Sequence, residues 1–180
     1  MANRLGREDW LLEALRVLAE SGVEAVRVEP LAKRLGVTKG SFYWHFADRA
    51  ALLAATLDDW ERRATLAIIS EVEASGGDPG DRLLKLFRLG LAADGRLDRR
   101  VRAWAQDDDA AAAVLRRVDR RRVAYLRQLF VGLGFSRPAA QARAQLIYST
   151  LVGNFELGVR LAPREQQQTA RLYQELLTRP

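Results

Sequence analysis

The chain has 180 residues, no cysteine and one histidine, and its 29 lysines and arginines outnumber 23 acidic residues for a formal charge of +6. Without cysteine there are no disulfide frameworks, thiolate metal sites or cysteine nucleophiles, and a single histidine excludes zinc clusters of the Cys/His kind. No apolar run reaches the roughly 18 residues that span a bilayer, and the first residues lack the apolar core of a signal peptide, so a cytoplasmic protein with no membrane partner is expected.

Periodicity is helical throughout, with no strict apolar–polar alternation, which predicts an all-α chain of nine helices. Leu11, Leu15 and Leu18 form one stripe on a first helix over Arg7–Glu20, stopped at Ser21-Gly22. A second helix covers Val28–Leu35, its Pro30 tolerated in the first turn. After the break Gly36-Val37-Thr38, a third runs from Lys39 to His45, with the Thr38 hydroxyl expected as its cap. Asp48 caps a long fourth helix, on which Leu53, Leu57, Trp60, Ala64 and Ile68 are spaced for a single buried stripe. The linker Ser75-Gly76-Gly77-Asp78-Pro79-Gly80 ends it. A fifth helix covers Arg82–Ala92 and a sixth Leu97–Ala105; Asp107-Asp108-Asp109 opens a seventh that extends to Leu133. The eighth covers Arg137–Leu161, and the ninth starts at Pro163.

Short second and third helices joined by a glycine-containing break describe a helix-turn-helix. The run Leu31-Ala32-Lys33-Arg34-Leu35-Gly36-Val37-Thr38-Lys39-Gly40-Ser41-Phe42-Tyr43-Trp44-His45-Phe46, followed by a capped leucine-rich helix, resembles the tetracycline-repressor (TetR) family of bacterial regulators. The resemblance covers Leu11 to Leu57; farther on it rests on chain length and helix count alone. Within that run, Phe42 and Phe46 lie four apart and are expected to bury together against Leu31, Leu35 and Val37. Lys39 and Tyr43 then fall on the opposite, exposed face, flanked by Trp44 and His45.

The first 50 residues carry eight basic and seven acidic side chains, so placement rather than bulk charge must favour a polyanion. The resemblance implies a DNA-binding head over residues 1–47 and a helical ligand-binding and dimerisation domain over 48–180. It implies that Lys39 and Ser41 approach base edges while Thr38, Tyr43 and His45 grip phosphates. Arg27 and Arg49 would add backbone contacts, and Arg4 would belong to an N-terminal arm. Gly40 either permits close approach to DNA or is merely tolerated, and Trp44 either flanks the reading face or packs on the fourth helix. Glu29 would weaken binding unless it pairs with Arg27 or Lys33.

In the remaining chain, Ala144, Leu151, Leu172 and Leu176 lie on stripes of the last two helices that suit a four-helix dimer seam. Trp60, Phe87, Trp104, Tyr125, Tyr148, Asn154 and Phe155 are candidates to line an effector cavity, each with ordinary core packing as its alternative. The run Arg116–Arg122 is read as a solvated face. No constellation of nucleophile, acid–base pair or metal ligands is present, so neither catalysis, a metal nor a cofactor is expected. The expected function is a homodimeric repressor of transcription that binds a partly palindromic double-stranded DNA site and is released by a small molecule. The alternative is a ligand-independent DNA-binding protein whose helical domain is a protein-interaction module.

Overall fold

A computed structural model describes residues 5–179, and among them every regular element is helical. In chain order these are α1 (Arg7–Ser21), α2 (Val28–Leu35), α3 (Lys39–Phe42), α4 (49–74), α5 (Pro79–Ala92), α6 (Arg96–Trp104), α7 (Asp109–Gly132), α8 (Arg137–Leu157) and α9 (Pro163–Thr178). A short 3₁₀ turn, Val23–Ala25, separates α1 from α2. The expected all-α architecture of nine helices is observed among the described residues.

Local chemistry explains most of the ends. The Ala51 N–H donates to Asp48 Oδ1 at 2.7 Å, which starts α4. Asp78 accepts from the N–H groups of Gly80 (2.6 Å) and Asp81 (3.0 Å), so α5 begins at Pro79 rather than Arg82. Gly158 closes α8 with φ 65°, and the Val159 N–H donates to Asn154 O at 2.9 Å. This left-handed cap ends the helix at Leu157, short of the expected Leu161. Thr38 departs from expectation: its side chain caps nothing, and only its carbonyl holds the first turn, accepting from the Ser41 N–H at 3.0 Å.

The fourth helix also differs from a single stripe. Between Arg49–Glu61 and Ala67–Ala74 it contains a π-helical turn, Arg62–Leu66. Leu57 and Trp60 are buried before the turn and Val72 after it, while Leu53, Ala64 and Ile68 are only half-buried; the extra residue of a π turn shifts by about 100° which side chains share a helix face. A π turn disturbs the backbone ladder, and Arg122 of α7 meets the disturbance. Its guanidinium donates to Ala64 O and Thr65 Oγ1, both at 3.0 Å.

The chain divides into two compact units, one made of residues up to Arg62 with Arg96–Leu115, the other of Arg63–Gly95 with the residues from Arg116 onward. In the first, Trp10, Leu18, Val26, Leu31, Phe42, Leu52 and Trp60 are fully buried. Trp10 meets Phe42 edge-on at 5.3 Å between ring centroids, and Phe42 stacks on Phe46 at 5.5 Å. Buried Glu13 of α1 receives Arg16 at 2.6 Å and pairs with Arg34 of α2; Arg34 also reaches Glu20 at 3.1 Å. A buried carboxylate holding two guanidiniums fixes the angle between α1 and α2, because leaving it unpaired costs several kcal/mol, roughly 3–5.

In the second unit Val72, Leu83, Phe130, Ala140, Ala144 and Ala170 are fully buried. Gln174 of α9 donates to Gly80 O of α5 at 2.8 Å, and Tyr173 meets Phe87 edge-on at 6.3 Å. Gly95 has φ 66°, and a Cβ there would lie 2.2 Å from the Phe155 ring, so only glycine fits this close approach.

Phe42 occupies no external surface, so its removal opens a cavity that so short a helix cannot close. Phe42→Ala is expected to lower unfolding free energy by about 3–5 kcal/mol in urea titration. A loss below about 1 kcal/mol, the range of a surface change, would show that the head does not depend on this ring.

Candidate nucleic-acid interface

The turn between α2 and α3 sets the geometry of the site. Gly36 sits at φ 68°, a left-handed conformation free of strain only for glycine, and the Val37 N–H donates to Ala32 O at 3.0 Å. The reversed chain enters α3 with Phe42 directed into the core. Phe46, just beyond, is buried against the same side.

With one face of α3 pinned, the other faces solvent. Tyr43 is 56 % exposed and Trp44 86 %, and Thr38, Lys39 and Gly40 are exposed too; Ser41 and His45 are half-buried. Helix α3 ends at Phe42, short of the expected His45, and Tyr43–His45 form a turn in which the His45 N–H donates to Phe42 O at 2.9 Å. The ring of Tyr43 lies edge-on to Phe42, 5.3 Å between centroids, which orients it while leaving its outer side in solvent. Nothing inside the protein requires Gly40 to lack a side chain, since the nearest atom to a Cβ there would be Thr38 Oγ1 at 3.7 Å.

Electrostatics refine this picture. Lys39 Nζ donates to Glu29 Oε1 at 2.7 Å, so the acid on α2 pairs across the turn with the exposed cation of α3 and not with Arg27 or Lys33. The hydrogen bond and charge of Lys39 hold the Glu29 carboxyl below the usual glutamate range, and Glu29 in turn raises the Lys39 ammonium. Arg27 is exposed at the entry to α2, its Nε donating to Glu24 O at 2.8 Å. Arg49 is half-buried; it donates to Val26 O (2.7 Å) and Val23 O (2.8 Å), which ties α4 to the turn before α2. These two bonds give Arg49 a positioning task inside the head. Arg4 lies outside the described residues.

The other expected groupings scatter. Trp60, whose Nε1 donates to Asp98 at 3.3 Å, and Trp104 belong to the first unit, whereas Phe87, Tyr125, Tyr148, Asn154 and Phe155 belong to the second. The Tyr125 hydroxyl donates to Glu73 at 2.7 Å, and burial first, then Glu73, pushes its pKa up. Tyr148 donates to Asp119 at 2.6 Å. A cleft of about 1020 Å³ does occur in the second unit, between α4, α7 and the start of α8, and of the seven candidates Tyr125 alone lines it. Its other walls carry Arg121, Arg127 and Arg137, polar residues that no aromatic stripe in the sequence marks. The Arg116–Arg122 run is not a uniformly solvated face, because Asp119 and Arg122 both turn inward to Tyr148 and the π turn.

On the expected seam, Ala144 is wholly covered by its own unit and Leu151 is half-buried against Gly90, where a Cβ would meet it at 3.3 Å. Leu172 and Leu176 are 47 % and 67 % exposed, and Leu146 and Leu157 of α8 are exposed as well, three helical turns apart on one face. Sequence periodicity missed the latter two because they lie off the inward stripe. Among the described residues, no group of acids and histidine is placed to hold a metal ion, and no helix is long and apolar enough to cross a membrane.

Comparison with known proteins is consistent with this arrangement. Residues 11–56 match the family described as bacterial regulatory proteins, tetR family. The chain is 35 % identical over 83 residues to the transcriptional regulator AcrR of Shigella flexneri, a match spanning 46 % of this chain and 37 % of that protein. It is 43 % identical over 53 residues to the class C tetracycline repressor protein of Escherichia coli, spanning 29 % of this chain and 24 % of the repressor. The aligned stretch therefore covers well under two thirds of these curated relatives. Among solved structures, a transcriptional regulator from Rhodococcus sp. Rha1 superposes with a TM-score of 0.78 at 25 % identity over 96 % of both chains. Reduced Escherichia coli NemR shares the fold, with a TM-score of 0.74 at 18 % identity over 95 % of this chain and 96 % of its own.

The Lys39–Glu29 pair is open to direct measurement. In an NMR pH titration the Glu29 carboxyl is expected to titrate below the ordinary glutamate range, and Lys39→Ala is expected to return it there. Because its folded pKa is depressed, the pair contributes above the ordinary glutamate pKa and is lost as pH falls through the lowered value. A Glu29 titration unaffected by Lys39→Ala would remove the pair from the solution structure.

Proposed function

We propose that this chain, whose residues 11–56 match the tetR family of bacterial regulatory proteins, is a homodimeric DNA-binding regulator of transcription, a repressor released by a small molecule. One observation carries the reading. The four-residue α3 buries Phe42 while Lys39 and Tyr43 stand outward beside exposed Trp44.

On DNA, α3 enters the major groove. Lys39 and Ser41 meet base edges, and Thr38, Tyr43, Trp44 and His45 line the phosphate-facing rim, with Arg27 adding a cation at the start of α2. Gly40, free of internal neighbours, lets the backbone approach the groove closely. The Glu29 carboxylate competes with DNA for Lys39, so a base acceptor must replace it; a mismatched site leaves the internal pair intact. Glu29 therefore sharpens discrimination at some cost in affinity.

A single short reading helix covers few base pairs. A two-fold dimer sets two such helices in successive major grooves, roughly 34–36 Å apart, which favours a partly palindromic target. Exposed Leu146, Leu157, Leu172 and Leu176 supply an apolar face for this pairing through α8 and α9. Release requires a ligand that prefers the dimer whose reading helices are wrongly spaced, since only differential affinity shifts such an equilibrium.

In vitro selection from a random pool is expected to recover an inverted repeat; recovery of no enriched sequence would overturn the reading. On the selected site, Tyr43→Ala and Lys39→Ala are each expected to weaken binding tenfold or more, as for loss of a charged hydrogen bond worth about 1.5–3 kcal/mol. Affinity should also fall linearly in logarithm with salt, because phosphate contacts release counterions. The double variant Leu172→Glu, Leu176→Glu is expected to sediment as a monomer, and a dimer unchanged by it would place the seam elsewhere.

A further inference from the structure

The cleft between α4, α7 and the first turn of α8 has a chemistry of its own. Leu66 and Ile69 of α4 and Val131 of α7 make an apolar wall, and both Leu66 and Val131 are exposed although large and apolar. Around that wall stand Arg121 and Arg127 of α7 and Arg137 of α8, all exposed, while no aspartate or glutamate lines the cleft. The side chains of Arg127 and Arg137 make no hydrogen bond or ion pair with another described residue. Elsewhere the protein pairs its cations readily, Arg34 with Glu13 and Glu20, Lys85 with Glu71, Arg82 with Glu73.

We propose that this cleft binds a carboxylate carrying an apolar tail, the acid group held by Arg127 and Arg137 and the tail laid against Leu66, Ile69 and Val131. Both halves of the ligand are needed. An acid without a tail gains only solvent-exposed ion pairs, each worth little. A tail without an acid leaves two guanidiniums to be partly desolvated with no counter-charge. The planar guanidinium fork suits a carboxylate in two-point contact. The volume of about 1020 Å³ is large enough for a small amphiphile, with room left for water at its open side. Binding here stands by itself; its role as the releasing signal rests on the regulatory function proposed above. The link to that function is close in sequence, because Leu66 closes the π turn of α4 whose carbonyl and hydroxyl are held by Arg122, one residue from Arg121.

The test uses the purified 180-residue protein without DNA, titrated calorimetrically with decanoate, decanol and acetate below their aggregation limits. Decanoate is expected to bind at least tenfold more tightly than either decanol or acetate. Arg127→Ala with Arg137→Ala is expected to reduce decanoate affinity at least tenfold, and Val131→Asp to abolish it, with helical circular dichroism unchanged. Equal affinity for decanoate and decanol, or decanoate binding indifferent to the arginine pair, would overturn the assignment. A second arm adds decanoate to the protein on its selected DNA site. Displacement from wild type but not from the arginine variant supports the signalling role; binding without displacement rejects that role while leaving the cleft assigned. Failure of the protein to select any DNA, with decanoate still bound, would sink the regulatory reading and not the cleft.

Discussion

Burial of the Phe42 ring is the constraint from which the exposed surface of α3 and the turn after it follows. A helix of four residues has no stability of its own, since nucleation alone is unfavourable and only longer helices approach self-sufficiency. Helix α3 exists because Trp10 and Phe46 enclose Phe42, and the same enclosure decides which way the neighbouring side chains point. With the ring pinned inward, Lys39 and Tyr43 have nowhere to go but out. Preorganisation of that kind lowers the ordering cost of any binding at this surface, because its shape is already set by the core behind it.

Around this ring the head is braced by polar groups that reach across helices. Glu13 gathers arginines from α1 and α2, and Arg49 ties α4 to carbonyls of the turn before α2. Each leaves the helix packing dependent on a charged group whose partners cannot be removed one at a time without exposing an unpaired charge. The Lys39–Glu29 pair differs. Both members are exposed, so solvent screens it, and it can open without a large penalty when a better partner arrives.

The second unit applies similar chemistry to a different end. Its core carries the hydroxyls of Tyr125 and Tyr148, matched to Glu73 and Asp119, and Arg122 spans from α7 to the π turn of α4. Such fully paired groups specify one packing arrangement over alternatives, because a shifted helix would strand them. Arg127 and Arg137, on the cleft, are left outside this internal pairing, and it is there that charge remains for something other than the fold.

Chain periodicity, caps and glycine breaks sufficed to determine the helical class, the nine helices, the helix-turn-helix and the division of α3 into a hidden and a presented face. These are consequences of interactions between residues within one or two turns, where spacing alone dictates which side chains share a surface. Tertiary structure alone decided the rest. Glu29 finding Lys39 rather than Arg27, Arg49 turning inward, the rotation introduced by the π turn, and Asp119 and Arg122 leaving a charge run for the interior all depend on groups brought together from different helices. The cleft is of the same kind, assembled from side chains of α4, α7 and α8 that no local pattern relates. Polar side chains are long and choose among several partners, so their pairing is settled by the packing of the helices that carry them.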